Sequence, residues 1–204
     1  PLWKLGKICY HGQIPLNILE SPMYPFIRLG TGIGKSIYHT LKGDTLSVTD
    51  TSEVSFVCNI NDIDNFLEMN NGRILTLFDL GRNDFAIRTG LGKKLIANRW
   101  GLVVAGSTIQ YRKRIRLFDK ITIKTRICAI DERWFYIEQT MYAKGVPTSH
   151  ALLRTGVTNL MTGKVIDTKQ VLDALGMGEL SMPPDPWVQA WIDADKLRPF
   201  PTGE

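Results

Sequence analysis

One long helical stretch followed by consecutive strand patterns joined by short turns constrains this chain most. Ile74, Leu77, Phe78, Gly81 and Phe85 recur at three- and four-residue spacing, while Arg73, Asp79, Arg82 and Asp84 lie mostly elsewhere on the wheel. The spacing predicts a helix over 71–88, with Gly90 just beyond Thr89 as its stop. Gly81 falls inside the apolar stripe, where a missing side chain lets another element come close. Beyond the helix, Leu102–Leu117, Ile121–Ile130, Trp134–Tyr142 and His150–Leu160 read as strands, and Met161-Thr162-Gly163-Lys164 reads as a hairpin turn into Val165-Ile166. Neighbours joined by such short turns must be antiparallel, because parallel neighbours need long crossovers. An earlier strand, Glu53–Cys58, places Val54, Phe56 and Cys58 on one side. A single helix can bury its stripe only if the sheet curls around it. The expected class is therefore α+β.

With 204 residues, the chain suits a single domain spanning 1–204. Its core would cover about 50–165, with an N-terminal extension over 1–45 and a helical tail over 167–204. In that tail, Asp167 or Thr168 caps one short helix, and Asp185-Pro186 opens a second with Trp187, Val188, Trp191 and Ile192 on one face. Hydrophobic residues at 44% and charged residues at 22% exclude a disordered or low-complexity chain. No apolar run approaches the roughly 18 residues of a bilayer span, so no membrane span is expected. The residues at Pro1 onward lack the layout of a signal peptide.

The net charge of +5 is mild. A nucleic-acid partner would call for that excess on one face interleaved with aromatics, whereas an anionic small ligand needs only a few cations. Cys9, Cys58 and Cys128 are odd in number and lack CxxC spacing. That weighs against a disulfide framework or cysteine zinc site and fits a reducing, cytoplasmic setting. His11, His39 and His150 are far apart and form no metal-binding pair, so neither a metal nor a cofactor is expected.

The densest polar cluster is Asn59–Asn71, three carboxylates and five amides between the first strand and the long helix. Unpaired N–H groups and the positive end of the helix dipole favour developing negative charge there. A carboxylate beside such donors can activate water against a polarised carbonyl. Asn and Asp also suit turns and caps: Asn65 with Glu68 fits a capping box, and Asn70 or Asn71 fits a single cap.

Asp62-Ile63-Asp64, Glu68-Met69-Asn70-Asn71-Gly72-Arg73 and the helix they feed resemble the Asp-x-Asp-x-x-x-His-x-Asn-Asn motif of hotdog-fold acyl-CoA thioesterases related to 4-hydroxybenzoyl-CoA thioesterase. Further matches follow in order at Leu80-Gly81-Arg82, at Tyr111–Asp119 and at Asp131–Gln139, so the resemblance covers roughly residues 50–165. It implies a hotdog fold, a curled antiparallel sheet wrapped around one long central helix. It also implies hydrolysis of an acyl-CoA substrate, with a homodimer or dimer of dimers as the assembly. Asp64 matches the carboxylate that attacks the thioester or activates water, and Asn70 and Asn71 match the amides at the helix start. Glu68 stands where the motif has His. It cannot donate a hydrogen bond while ionised, and its charge opposes that of Asp64. Either Glu68 takes over as base, or the chemistry tolerates it, or the protein is a catalytically silent binder of acyl-CoA or of a protein partner. Ile74 replaces the aromatic that usually follows Arg73.

Arg112, Arg114 and Arg116 alternate, which on a strand would project all three from one face. With Arg73 they are candidates for holding coenzyme A phosphates, Arg being suited to bidentate contacts. The alternative is a charged row that keeps a strand soluble. Gly30-Thr31-Gly32-Ile33-Gly34-Lys35-Ser36 resembles a P-loop, but the first required Gly falls on Leu29. An ordinary glycine-rich loop is the expectation there.

Overall fold

The computed structural model describes residues 26–199, so His11 and Cys9 lie outside the described residues. Helix α1 (Phe26–Leu41) precedes strand β1 (Ser52–Val57) and the central helix α2 (Asn71–Arg88). A short helix α3 (Leu91–Asn98) leads into β2 (Trp100–Tyr111), β3 (Lys120–Ile130), β4 (Phe135–Ala143) and β5 (Val146–Asn159). The two-residue β6 (Val165–Ile166), α4 (Thr168–Ala174) and α5 (Pro186–Leu197) complete the described residues.

The strands form one antiparallel sheet in the order β1-β3-β4-β5-β2, with β6 pairing β5. Ile74, Leu77, Phe78, Gly81 and Phe85 are all buried, so the stripe read from the sequence is the face that α2 turns to the sheet. Gly81 permits the approach. A Cβ there would stand 2.8 Å from Thr125 Oγ1 and 3.0 Å from both Gln139 Nε2 and Ile123 Cγ2. The buried Gln139 donates to Phe78 O and Thr125 Oγ1, each at 2.9 Å, and accepts from Arg82 at 2.5 Å. Helix and sheet are thus tied by polar bonds as well as by apolar contact.

Three sequence expectations need correction. Residues 30–36 are not a loop but part of α1, whose Ser36 donates at 2.5 Å to Asp84 of α2. Ser52 of β1 donates to the other oxygen of that buried carboxylate at 2.6 Å. Helical backbone leaves no phosphate-cradling loop there. Strands β2 and β3 are not the antiparallel neighbours expected from the short turn between them, since β1 takes the place beside β3 and β2 pairs β5. Gly90, which stops α2 as expected, also caps α3 at φ +78°. The strand expected over 102–117 ends at Tyr111, since the Arg112 and Lys113 amides both turn to Thr148 O. On the outer face of the sheet, Val188 and Ile192 of α5 are buried, while Trp187 and Trp191 flank them against His150 and Tyr136.

Candidate active site

The polar segment before α2 is built on a buried carboxylate. Residues Ile60–Asp62 form one 3-10 turn capped by Asn59, whose side chain accepts from the Asn61 amide at 3.0 Å. Asp62 is only 2% exposed, and Arg28 of α1 reaches its two oxygens at 3.0 and 2.8 Å. Arg73 Nε lies 3.3 Å from Asp62 Oδ1. Arg28 also donates to Val57 O at 2.7 Å and Arg73 to Asn61 O at 3.0 Å. Arg73 is therefore turned toward Asp62.

From this anchor the chain makes a small hairpin, with Ile63 bridged to Met69. The Asp64 amide donates to Glu68 O at 2.8 Å, and Asp64 Oδ1 accepts from the Phe66 amide at 2.8 Å and the Glu68 amide at 3.4 Å. One carboxylate oxygen of Asp64 is thus engaged in the turn. Among the described residues nothing binds Oδ2. Asn70 is the cap of α2, its Oδ1 accepting from the amides of Gly72 at 2.8 Å and Arg73 at 3.3 Å. The Asn65–Glu68 capping box is not formed, because both residues belong to the hairpin rather than to the helix. With Gly72 and Arg73 bonded, Asn71 carries the first-turn amide left without a partner among the described residues.

The arginines do not form one row, because they follow β2 rather than belong to it. Arg112 and Arg114 line a depression of about 200 Å³ with Glu68, Asn71, Met69, Ile74, Tyr111, Lys113 and Ile115. Arg114 Nε stands 3.1 Å from Glu68 Oε1. Arg116 is placed elsewhere, its amide donating to the Asp119 carboxylate at 3.0 Å. Of the expected residues, the depression gathers Glu68, Asn71, Arg112 and Arg114; Asp64, Asn70, Arg73 and Arg116 do not line it. Tyr111 and Lys113 were not singled out, although the first precedes the arginine run and the second lies within it. Burial pushes the Tyr111 hydroxyl up, so it remains a hydrogen-bond donor at neutral pH. Burial also lifts the Cys58 thiol to about 11, which removes it as a nucleophile.

A second, apolar cavity of about 160 Å³ lies further along α2, between Phe85, Ala86, Leu102, Val104, Ile127 and Ile137, with Asp79 and Arg82 also in its wall. Sequence reasoning missed it, because its walls come from distant strands. Among the described residues, no three His, Cys, Asp or Glu groups converge to hold a metal. Nor is any described helix long and apolar enough to cross a membrane.

Comparison with known proteins gives the family and the fold. A family model described as the thioesterase-like superfamily matches residues 58–192. The chain belongs to that superfamily. Protein THEM6 of Drosophila melanogaster is 32% identical over 124 residues, which is 59% of this chain and 64% of that protein. Protein THEM6 of Xenopus laevis is 36% identical over 83 residues, 41% of this chain and 40% of that protein. The chain thus spans less than two thirds of these relatives' lengths. Among solved structures, YbaW, a probable thioesterase from Escherichia coli, superposes with a TM-score of 0.58 at 19% identity, covering 62% of this chain and 97% of that one. A Staphylococcus aureus protein, SAV2348, solved in complex with CoA, gives 0.57 at 15% identity, over 69% and 90% of the two chains. These likenesses show the fold, and it is the hotdog fold.

Proposed function

We propose that this thioesterase-superfamily chain hydrolyses the thioester of an acyl-coenzyme A. The observation that carries the proposal is the depression at the N-terminal end of the central helix, where the Asn71 amide, Glu68, Arg112 and Arg114 converge beside the Asp64 hairpin. Hydrolysis breaks the carbonyl carbon–sulfur bond, joins a water oxygen to that carbon and delivers a proton to the departing thiolate. The free oxygen of Asp64 is the base that takes the water proton, or else the nucleophile. The Asn71 amide and the dipole of α2 stabilise the developing oxyanion. Arg112 and Arg114, with Lys113, offer cations to the phosphates of coenzyme A.

The assembly proposed is a homodimer. Strand β2 is an edge of the sheet and leaves Leu102, Val103 and Val104 exposed at the rim of the apolar cavity, and such an edge calls for a cover. The unpaired thiols of Cys58 and Cys128 accord with a cytoplasmic setting. A second reading, a silent acyl-CoA binder, is favoured by Glu68 in the motif's His position, where Arg114 holds its carboxylate.

A panel of acyl-CoA esters of increasing chain length, read by released thiol, tests the proposal. The wild type is expected to turn over at least one member. Asp64→Asn should lose about 100-fold or more of that rate, yet keep its melt, because an amide oxygen can still accept from the Phe66 and Glu68 amides. Tight binding of acyl-CoA without thiol release would establish the silent binder instead.

A further inference from the structure

Two bulky apolar residues beside the depression hold backbone conformations that such side chains rarely adopt. Leu67 has φ +60° and Phe118 has φ +66°. Left-handed backbone favours Gly or Asn, and a Leu or Phe there is strained. Neither side chain offsets that strain by packing, since Leu67 is 77% and Phe118 is 75% exposed. Phe66 beside Leu67 is 81% exposed, and Ile60 stands out in the same way.

These tips belong to one end of the molecule. The Phe118 amide donates to Cys58 O at 2.8 Å, and the Cys58 amide to Asp119 O at 2.9 Å. The Met69 amide donates to Ile115 O at 2.9 Å. The hairpin over 63–69 and the turn over 115–119 are therefore fastened to each other. Exposed cations surround them: Arg112, Lys113, Arg114, Arg116, Lys120 and Lys144. The nearby carboxylates of Glu68 and Asp119 are matched by Arg114 and Lys144, and the carboxylate of Asp64 in the hairpin still leaves the cations in excess. The end as a whole is apolar at its tips and positive around them.

We propose that this end of the molecule docks on an anionic lipid surface. Phe66, Leu67 and Phe118 enter the interfacial layer, and Arg116 and Lys120 meet the phosphate headgroups. The proposal stands whether or not the depression hydrolyses a thioester. Several separate protrusions need no matching hollows in a bilayer, and basic residues beside apolar ones suit anionic headgroups. A second copy of the chain would bring the same cations face to face. Docking would set the depression against the membrane, where long-chain acyl groups partition.

Cosedimentation of the full chain with vesicles tests this. Binding is expected to mixed phosphatidylserine–phosphatidylcholine vesicles, to weaken with salt, and to be much weaker on phosphatidylcholine alone. The pair Leu67→Asn and Phe118→Asn should reduce partitioning about tenfold or more, while the melting temperature holds or rises because Asn tolerates left-handed backbone. Absence of binding by the wild type would overturn the proposal in favour of a protein partner. Equal binding to phosphatidylcholine alone, a lower melting temperature in the double variant, or its conversion from dimer to monomer in sedimentation would overturn it as well.

Discussion

Glu68 and Arg114 face each other at 3.1 Å across the depression, joining the hairpin before α2 to the loop after β2. Arg114 is 74% exposed and Glu68 26%. Such a pair contributes at most about 1 kcal/mol to stability. Its meaning lies in charge, because the guanidinium offsets a carboxylate that would otherwise oppose Asp64. Glu68→Gln is expected to move the melting temperature little while changing thioester turnover at least about tenfold, downward if Glu68 acts as base and upward if its charge restrains Asp64. Turnover equal to wild type would place Glu68 outside the chemistry.

The two aspartates of the acidic motif should behave in opposite ways. Asp62 is buried and compensated by Arg28 and Arg73, so its removal strands two partly buried guanidinium groups. Asp62→Ala is expected to cost about 3 kcal/mol in urea denaturation. Asp64→Asn should leave the denaturation midpoint in place and remove turnover. Equal destabilisation by both would assign Asp64 a purely structural part.

Gly81→Ala puts packing against propensity. Alanine is the better helix former by about 1 kcal/mol. Its Cβ would meet Thr125 and Gln139 of the sheet at 2.8 and 3.0 Å, so α2 must shift or those side chains must lose their bonds. A net loss of about 1–3 kcal/mol is expected by chemical denaturation. A stabilised variant would show that α2 can slide freely over the sheet.

The edge strand β2 supplies an assembly test. The full chain is expected to sediment as a dimer. Leu102→Lys, at an exposed position on that edge, should shift it toward monomer by placing charges across the joint. A wild-type monomer at micromolar concentration would refute the assignment.

The central helix was legible because its stripe obeys one period from Ile74 to Phe85 and its ends carry their own caps, Asn70 and Thr89-Gly90. Turn lengths made β3, β4 and β5 legible as neighbours, but not the pairing of β2 with β5 or of β1 with β3, which depends on the whole sheet. The end of β2 was hidden, because alternating Arg112, Arg114 and Arg116 mimic a strand's period while the backbone bonds of Arg112 and Lys113 to Thr148 O depend on a distant hairpin. Helix α1 was hidden by Gly30, Gly32 and Gly34, each worth about 1 kcal/mol against a helix. Tertiary contacts of Leu29 and the Ser36–Asp84 bond override that preference. The separate duties of Asp62 and Asp64 show the same limit. Sequence places both in one motif, but only the fold brings Arg28 to the first.

Acid stability offers a test on the opposite side of the sheet. Glu138 on β4 faces His150 Nε2 at 2.8 Å and pairs with Arg126 of β3. The hydrogen bond from His150 is the chief cause holding its carboxyl below the ordinary value of 4.5, with burial opposing and the Arg126 charge assisting. A carboxylate depressed in the folded state stabilises the fold at pH values above its ordinary pKa. That contribution is lost as the pH falls below 4.5 and through the lowered folded value. Urea denaturation from neutral to acidic pH should therefore show stability falling across that window. Glu138→Gln, which cannot ionise, should lower stability at neutral pH and flatten the acid limb, so that the two proteins converge at the lowest pH. A parallel offset across the whole range would mean that Glu138 acts through packing and not through its charge.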